Sequence, residues 1–246
     1  MTWYKEWFGE DYLRVYPHRN TEEAKHQIDF VQKILPLKKS DKILDLGCGN
    51  GRHANALAER GFTINCLDLS MILLRLARKN QSDDSRLNFI RADMRNMPFC
   101  SVFDKVLSFF TTFGYFESSA ENLRTLLSIE QSLRPGGIFL QDYVNKSYVV
   151  NNVVPRDERD EAGFRIIQER NYNRDAERIE KKITIYSDGE TREYFESVRL
   201  YTLQEMEALL AKTDLVLERT YGDFDGQPFS DKSPRLILIG KRRSTH

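Results

Sequence analysis

The sequence predicts a doubly wound α/β fold on a mostly parallel seven-stranded sheet, with a small antiparallel β insertion. Up to residue 143, short apolar runs alternate with segments of helical spacing, which is typical of a parallel sheet covered on both faces. From about residue 144 to 200 the pattern changes to strand-like stretches separated by the turns RDA and DGE, which is typical of antiparallel hairpins. Helix and strand patterns return after residue 201.

Each predicted element follows from apolar spacing and from the residues that end it. Pro36, for example, ends the first long helix. The seven strands of the main sheet are predicted at 42–46, 62–69, 87–92, 103–110, 138–143, 215–221 and 235–241. The helices between them are predicted at 21–35, 52–60, 71–80, 119–133 and 202–212, and the strands of the insertion at 164–173, 177–187 and 191–202.

The element pattern predicts a division of the chain into two parts. Residues 1–143 and 201–246 would form the main domain with an N-terminal helical lid. Residues 144–200 would form the insertion, which we expect to cover the substrate at the ligand edge of the sheet.

Composition narrows the classes of function. Lysines and arginines number 37 and so do aspartates and glutamates, which disfavours nucleic acid and anionic membranes as partners. No apolar run approaches the roughly 20 residues that cross a bilayer. The three scattered cysteines fit a reducing cytoplasm. The four histidines are too dispersed to predict a metal site, and His26 and His53 are expected on helix surfaces. A monomer or a homodimer is expected.

A glycine-rich turn follows the first strand, at 47–51 in the stretch LDLGCGNGR. Its G-x-G-x-G pattern lacks the third glycine of the dinucleotide fingerprint and the Lys-Ser/Thr of a phosphate loop, so it favours a ligand without phosphates. Acids stand at the ends of three successive strands, namely Asp45, Asp68 and Asp93. A carboxylate after the second strand suits ribose hydroxyls, and one after the third, beside Met94, suits an adenine amine. The pattern indicates a nucleoside site.

At these positions the sequence resembles the class I S-adenosylmethionine-dependent methyltransferases. The resemblance rests on ILDLGCGNGRHA, CLDLS, RADMRNMPF, FDKVLSFFTTFGYF and LRPGGIFLQD, within residues 42–142. It implies a Rossmann-like methyltransferase fold, S-adenosylmethionine as cofactor and methyl transfer as activity.

The resemblance also implies which residues contact the cofactor. Gly47 and Gly49 would face its methionine part, with Cys48 between them and Asp45 near the amino group. Phe109, after the fourth strand, would flank the methionine and the acceptor.

The remaining cofactor contacts would lie at the nucleoside end. Asp68, with Leu69 beside it, would hold the ribose. Asp93 and Met94 would hold the adenine.

The first twenty residues carry aromatic side chains at a spacing of four, which predicts a helical stripe. The stripe either packs on the domain or closes over the ligand as a lid. In the second case Tyr16, with His18 or Arg19, would lie over the cofactor's sulfonium and carboxylate, because an aromatic face attracts a cation and a guanidinium binds a carboxylate.

The expected activity is methyl transfer to nitrogen or oxygen of a small metabolite. An RNA or protein methyltransferase and a non-catalytic cofactor-binding regulator remain as alternatives. FFTT at 109–112 stands where amino-directed DNA methyltransferases have NPPY, and this disfavours a flipped base. A catalytic base is not identified: His18, Tyr143 and Asp142 are the candidates, and the connection 222–235 either lines the acceptor site or forms an ordered hairpin.

Overall fold

The structure, a computed structural model, describes residues 2–17, 19–81, 86–187 and 189–244. The helices are α1 Tyr4–Trp7, α2 Glu10–Val15, α3 Thr21–Ile34, α4 Arg52–Glu59, α5 Met71–Lys79, α6 Ser119–Ser132, α7 Lys146–Asn151 and α8 Leu203–Leu210. The strands are β1 Ile43–Leu46, β2 Ile64–Asp68, β3 Leu87–Arg91, β4 Phe103–Ser108, β5 Leu133–Val144, β6 Arg156–Glu161, β7 Phe164–Asn173, β8 Arg178–Ser187, β9 Glu190–Arg199, β10 Leu215–Tyr221 and β11 Arg235–Arg242.

The main sheet has seven strands in the order β10-β11-β5-β4-β1-β2-β3. Strands β1 to β5 run parallel, and β11 is antiparallel to both β5 and β10. The predicted fold class is confirmed. Because β1 lies between β2 and β4, the chain reverses its direction across the sheet there, and ligands bind at such a point in open α/β sheets.

Alternating strand residues divide the core between the two faces of the sheet. Ile43 packs with α3 and α4, whereas Leu44 packs with α6 and α8. Side-chain caps begin the helices that flank these faces: Ser118 forms a capping box at α6, and Ser70 accepts a hydrogen bond from the Leu73 N–H at α5. No described helix is long and apolar enough to cross a membrane.

A second sheet is formed by β6 to β9, all antiparallel. The prediction of three strands was one short, because β6 has the sequence RDERDE and carries no apolar residue. Helix α7 was also missed. Pairing with β7 supplies the hydrogen bonds that hold this charged edge strand in place.

The N-terminal segment lies between the two sheets. Trp3, Tyr4, Trp7 and Tyr16 are buried in one cluster with Phe116 of the main domain and with isoleucines of β7 and β8. The predicted aromatic stripe forms two short helices, α1 and α2, rather than one continuous helix. The break falls at Phe8 and Gly9, and glycine is a poor residue for a helix interior.

Arg178 at the start of β8 joins the two sheets. Its Nη1 donates to the Phe116 carbonyl at 3.0 Å, and its Nη2 donates to the carbonyls of Gly114 and Tyr115 at 3.3 and 3.2 Å. On the neighbouring strand, its Nε donates to Ser197 Oγ at 2.6 Å and its Nη2 donates to the Ser197 carbonyl at 2.8 Å. The side chain is buried and, among the described residues, pairs with no carboxylate. Its hydrogen bonds fix residues 114–116 against the antiparallel sheet.

We expect Arg178→Lys to lower the free energy of unfolding by about 2–4 kcal/mol, because an ammonium cannot reach four carbonyls and a hydroxyl as a guanidinium does. Chemical denaturation measures this. Arg174→Lys, at an exposed turn before the same strand, is the control and should change stability by less than about 0.5 kcal/mol. Equal stability of the two variants would disprove the role of Arg178.

Candidate active site

The carboxyl ends of β1 to β4 and the N-terminal segment enclose a first cavity of about 690 Å³. It brings together most of the residues that the sequence analysis assigned to the cofactor. The predicted residues in its wall are Gly47, Gly49, Asp68, Leu69, Asp93, Met94 and Phe109. The aromatic side chains of the wall are Tyr4, Phe8, Tyr12, Phe109, Phe110, Tyr115 and Phe116.

The glycine turn is shaped by its contacts within the protein. Gly47 has φ +72°, and a Cβ there would lie 2.4 Å from Cγ2 of Thr112. Gly49 has φ +56°, but a Cβ there would meet only Leu73, at 4.0 Å. Gly47 therefore permits a close approach to the loop after β4, whereas Gly49 leaves open space beside the cavity.

Asp68, the last residue of β2, lies in the wall of the first cavity. Its Oδ2 accepts from the Gly49 N–H at 2.9 Å, and its Oδ1 accepts from the Ser70 N–H at 2.7 Å. Burial raises the pKa of Asp68 above its usual value, although these backbone N–H groups oppose the shift. Each carboxylate oxygen retains a further lone pair for a ligand.

Asp45 in β1 is not part of the cavity wall. Its side chain is 1% exposed, and its Oδ2 has no hydrogen-bond partner among the described residues. Burial, with the nearby Asp68 carboxylate, raises the pKa of Asp45 to about 7. A buried acceptor without a partner is costly, and a cation close to it would stabilise the ionised form.

Asp93 follows β3 and is held by a residue that the sequence analysis missed. Arg95 donates from Nε and Nη2 to both oxygens of Asp93, the shortest distance being 2.6 Å, and its Nη1 bonds Glu121 Oε1 at 2.6 Å. Although burial opposes it, the hydrogen bonds from Arg95 hold the pKa of Asp93 below its usual value. Asp93 therefore stays ionised beside Met94 in the cavity wall.

A small cavity of about 440 Å³ adjoins the turn and is lined by Cys48, Arg52, His53 and Phe109 among others. The expectation that His53 lies on a helix surface was wrong: it is 5% exposed, stacks on Phe109 at 4.1 Å between ring centroids, and bonds Gln27 Oε1 at 2.5 Å. Burial lowers the pKa of His53 well below its usual value, so the ring is neutral and fixes the position of Phe109.

Arg19 lies in the wall of the small cavity and of the second cavity described below. Its guanidinium carbon is 3.7 Å from the ring centroids of both Tyr16 and Phe110, and it also bonds the Tyr12 hydroxyl. Within the part of the chain that the structure describes, Arg19 pairs with no carboxylate, and its Nε is buried without a partner. A cation held between two rings in this way is available to a ligand's anionic group.

Tyr16 has a different environment from the one expected of a residue covering the sulfonium. Its hydroxyl donates to Glu196 at 2.8 Å, and the ring is 8% exposed. Tyr16 lines the small cavity and a second cavity, but not the first.

The second cavity, of about 900 Å³, lies between the main sheet, the N-terminal segment and the antiparallel sheet. It shares Phe8, Tyr12, Phe110 and Tyr115 with the first cavity, so the two adjoin. Its charged side chains are Arg19, Lys181, Glu196 and Arg235. The sequence analysis missed the last three. The available signal was the alternation of side chains along the hairpin strands, which places residues 181 and 182 on opposite faces of the sheet.

The candidate bases have other roles or were not located. Tyr143 is fully buried in the core, and its hydroxyl bonds the Arg199 carbonyl. Asp142 is 1% exposed and accepts from Arg235 Nε at 2.7 Å and from the Phe110 N–H at 2.8 Å. His18 lies outside the described residues. Of the connection 222–235, only Arg235 lines the second cavity.

Comparison with known proteins agrees with this geometry. The family model described as "Methyltransferase domain" matches residues 43–137. A putative methyltransferase of Bacillus subtilis, YqeM, is 28% identical over 223 residues, which are 88% of this chain and 89% of the relative. A Streptomyces venezuelae protein named dTDP-3-amino-3,4,6-trideoxy-alpha-D-glucopyranose N,N-dimethyltransferase is 28% identical over 215 residues, 83% of this chain and 87% of the relative.

Among solved structures, the CcbJ methyltransferase of Streptomyces caelestis superposes with a TM-score of 0.81 at 16% identity, covering 97% of this chain and 98% of its own. At this identity the match shows a shared fold. The matched domain and the relatives together support the class I S-adenosylmethionine-dependent methyltransferases as the family of this chain, and methyl transfer from S-adenosylmethionine as its enzymatic activity.

Proposed function

We propose that this methyltransferase transfers the methyl group to nitrogen or oxygen of a small metabolite. The second cavity is the observation that carries this proposal. The N-terminal segment, the main sheet and the antiparallel sheet bound it on three sides, as is usual for a small-molecule site. A segment of RNA or of a folded protein would need an open surface in its place.

The residues of the first cavity fit the adenosyl part of the cofactor. Asp68 has two oxygens positioned by backbone N–H groups and a spare lone pair on each, which suits the two ribose hydroxyls. Leu69 would pack beside the ribose. Asp93 is kept ionised by Arg95, so it can accept from the adenine amine while Met94 contacts the ring.

The residues near the small cavity fit the methionine part. The unpaired cation of Arg19 would bind the carboxylate, and the unpartnered oxygen of Asp45 would stabilise the ammonium group by its charge. Gly47, Cys48 and Gly49 would contact the chain between them through their backbone. Tyr16 would hold Arg19 in place by its ring rather than contact the cofactor directly.

Positioning is the main contribution of this chain to the reaction. S-adenosylmethionine, when bound, supplies an electrophilic methyl group on a sulfonium. Phe110, Tyr12 and Tyr115 stand where the two cavities join and would exclude water and align the acceptor atom. Orientation of this kind is worth up to about 7–11 kcal/mol, and no nucleophilic side chain is required.

A nitrogen acceptor is supported by one relative. The Streptomyces venezuelae protein is named as an N,N-dimethyltransferase of an amino sugar nucleotide, and it is similar over most of this chain. An amine must lose its proton before it attacks. The pKa of an amine falls when it is buried near cations, and the second cavity provides both conditions.

A methyl-labelling experiment tests the function. Protein with tritium-methyl S-adenosylmethionine is incubated with a lysate divided by ultrafiltration into small molecules and macromolecules. Labelled product is expected in the small-molecule fraction. Label confined to RNA or protein would contradict the proposal and favour the macromolecular alternative.

We expect Asp68→Asn to weaken S-adenosylmethionine binding by about 10–100-fold, because charge-assisted hydrogen bonds to the ribose are lost. Isothermal titration calorimetry measures the dissociation constant. Asp104→Asn is the matched control, since Asp104 lies at the opposite end of the strands, where it accepts from Lys42 N–H and Arg134. Unchanged affinity in Asp68→Asn would refute the ribose assignment.

Asp45 predicts a pH dependence of cofactor binding. Because its pKa is about 7 in the free protein, the carboxyl is protonated below that pH and must release its proton when a cation binds nearby. Affinity should therefore fall as the pH decreases from 8 to 6. In Asp45→Asn the affinity should be weaker at pH 8 and should lose this dependence, as measured by calorimetry at each pH.

The same pKa predicts an opposite effect on stability. A carboxyl whose folded pKa lies above its unfolded pKa of about 3.9 destabilises the fold as the pH rises through that interval, and the penalty is complete above pH 7. Ligand-free Asp45→Asn should therefore melt several degrees higher than wild type at pH 8, with a smaller difference at pH 5. Asp142→Asn, also buried, should melt lower because Arg235 loses its partner. A lower melting temperature for Asp45→Asn would contradict the argument.

A further inference from the structure

The first and second cavities differ in charge. Among the described residues, the wall of the first has two carboxylates, Asp68 and Asp93, and no cationic side chain. The second has three cations in its wall and one carboxylate, the cations being Arg19, Lys181 and Arg235. A wall of the first kind suits a cationic cofactor, and a wall of the second kind suits an anion.

Lys181 and Glu196 form a pair that faces this cavity. They are directly opposite each other on β8 and β9, with Nζ and Oε2 3.0 Å apart and side-chain exposures of 14% and 15%. The next residue of β8, Lys182, pairs with Glu193 on the other face, where the exposures are 49% and 55%. Burying a charged pair has a desolvation cost that a surface pair avoids, so the inward pair calls for an explanation.

The hydrogen bonds of Glu196 are accounted for within the protein. Its oxygens accept from Trp7 Nε1 at 2.5 Å, from the Tyr16 hydroxyl at 2.8 and 2.9 Å, and from Lys181. Although burial opposes it, the Lys181 ammonium holds the pKa of Glu196 below its usual value. Glu196 therefore stays ionised, anchors the N-terminal segment and positions Lys181.

Two cations in the wall of the second cavity, Lys181 and Arg235, do not use all of their N–H donors within the protein. An ammonium has three N–H groups, and Lys181 donates to Glu196 and to the Tyr16 hydroxyl, which leaves one. Arg235 donates from Nε to Asp142 and from Nη2 to Thr111 Oγ1, which leaves part of its fork. Among the described residues, no protein acceptor takes these remaining donors. The second cavity thus offers free N–H donors, whereas its one carboxylate is already bonded within the protein.

We propose that the methyl acceptor is a small organic anion, whose carboxylate or phosphate group is bound in the second cavity by Lys181 together with Arg235. This inference rests on the proposed function, since it assigns the acceptor to that cavity. Lys181 determines specificity, and Glu196 is a positioning residue that holds the ammonium in the cavity wall. The acceptor's nucleophilic atom then lies toward Phe110 and Tyr115, where the first cavity begins.

Anion binding can be measured without turnover, because the chain's two tryptophans report on this region. Trp3 lines the second cavity, and Trp7 bonds Glu196. Tryptophan fluorescence of the protein saturated with S-adenosylhomocysteine is titrated with inorganic phosphate and, separately, with acetate, at constant ionic strength set by chloride. A saturable change with either probe is expected, and the probe that binds more tightly identifies the anionic group. No saturable change with either probe would overturn the proposal.

Variants test the role of Lys181. Lys181→Met should weaken anion binding and raise the KM for the acceptor by about tenfold or more, with S-adenosylmethionine affinity unchanged within about twofold. Lys181→Arg should restore most of the affinity, and Lys182→Met is the matched control on the other face of the same strand. The double variant Lys181→Met/Glu196→Gln removes both charges, so it leaves no buried charge unpaired. If the pair were purely structural, the double variant would have a lower melting temperature and an unchanged KM for the acceptor. That result would refute the assignment of Lys181 to the anion.

A fractionation before labelling distinguishes failure of this inference from failure of the proposed function. The small-molecule fraction is passed over an anion exchanger at pH 8 before incubation. Acceptor activity is expected in the retained material. Acceptor activity only in the flow-through would leave the proposed function intact and refute the anionic acceptor, whereas label only in macromolecules would refute the proposed function itself.

Discussion

The hydrogen bonds of Arg178 are the constraint on which both ligand cavities depend. Residues 114–116 supply Tyr115 and Phe116 to the walls, and their carbonyls are held by a guanidinium that comes from the other sheet. Burial lowers the pKa of Arg178, but the carbonyl dipoles replace water around the charge, and it remains a cation at physiological pH. The antiparallel sheet is thereby fixed over the edge where the parallel strands end.

The formal net charge of the chain is zero, but charged side chains are unevenly distributed along this edge of the sheet. Three aspartates stand near the carboxyl ends of three adjacent strands: Asp68 and Asp93 line the first cavity, and Asp45 is buried near Asp68. Lys181 and Arg235 face the second cavity. Asp45 shows that such charges carry a desolvation cost, since its buried Oδ2 has no hydrogen-bond partner among the described residues. A residue that destabilises the fold in this way is expected at a ligand site, where a bound cation offsets the penalty.

The sequence predicted what is encoded locally. Strands, the glycine turn and the acids at strand ends follow from spacing and from residue type, and Gly47, Gly49, Asp68 and Asp93 share one cavity wall. Glu196 and Lys181 could not be found this way, because they meet only through the register of β8 and β9. Strand β6 was missed because it has no apolar residue, and His53 was misplaced because its burial depends on packing against α3 and Phe109.

The N-terminal segment forms part of the wall of both cavities through Phe8 and Tyr12. Because the same segment borders both cavities, a displacement of it would open the two together, and exchange of one ligand would be coupled to exchange of the other. Release of demethylated donor and release of methylated product are then governed by the same barrier. The hydrogen bonds of Trp7 and Tyr16 to Glu196 would contribute to that barrier, since both must break before the segment could leave the cavities.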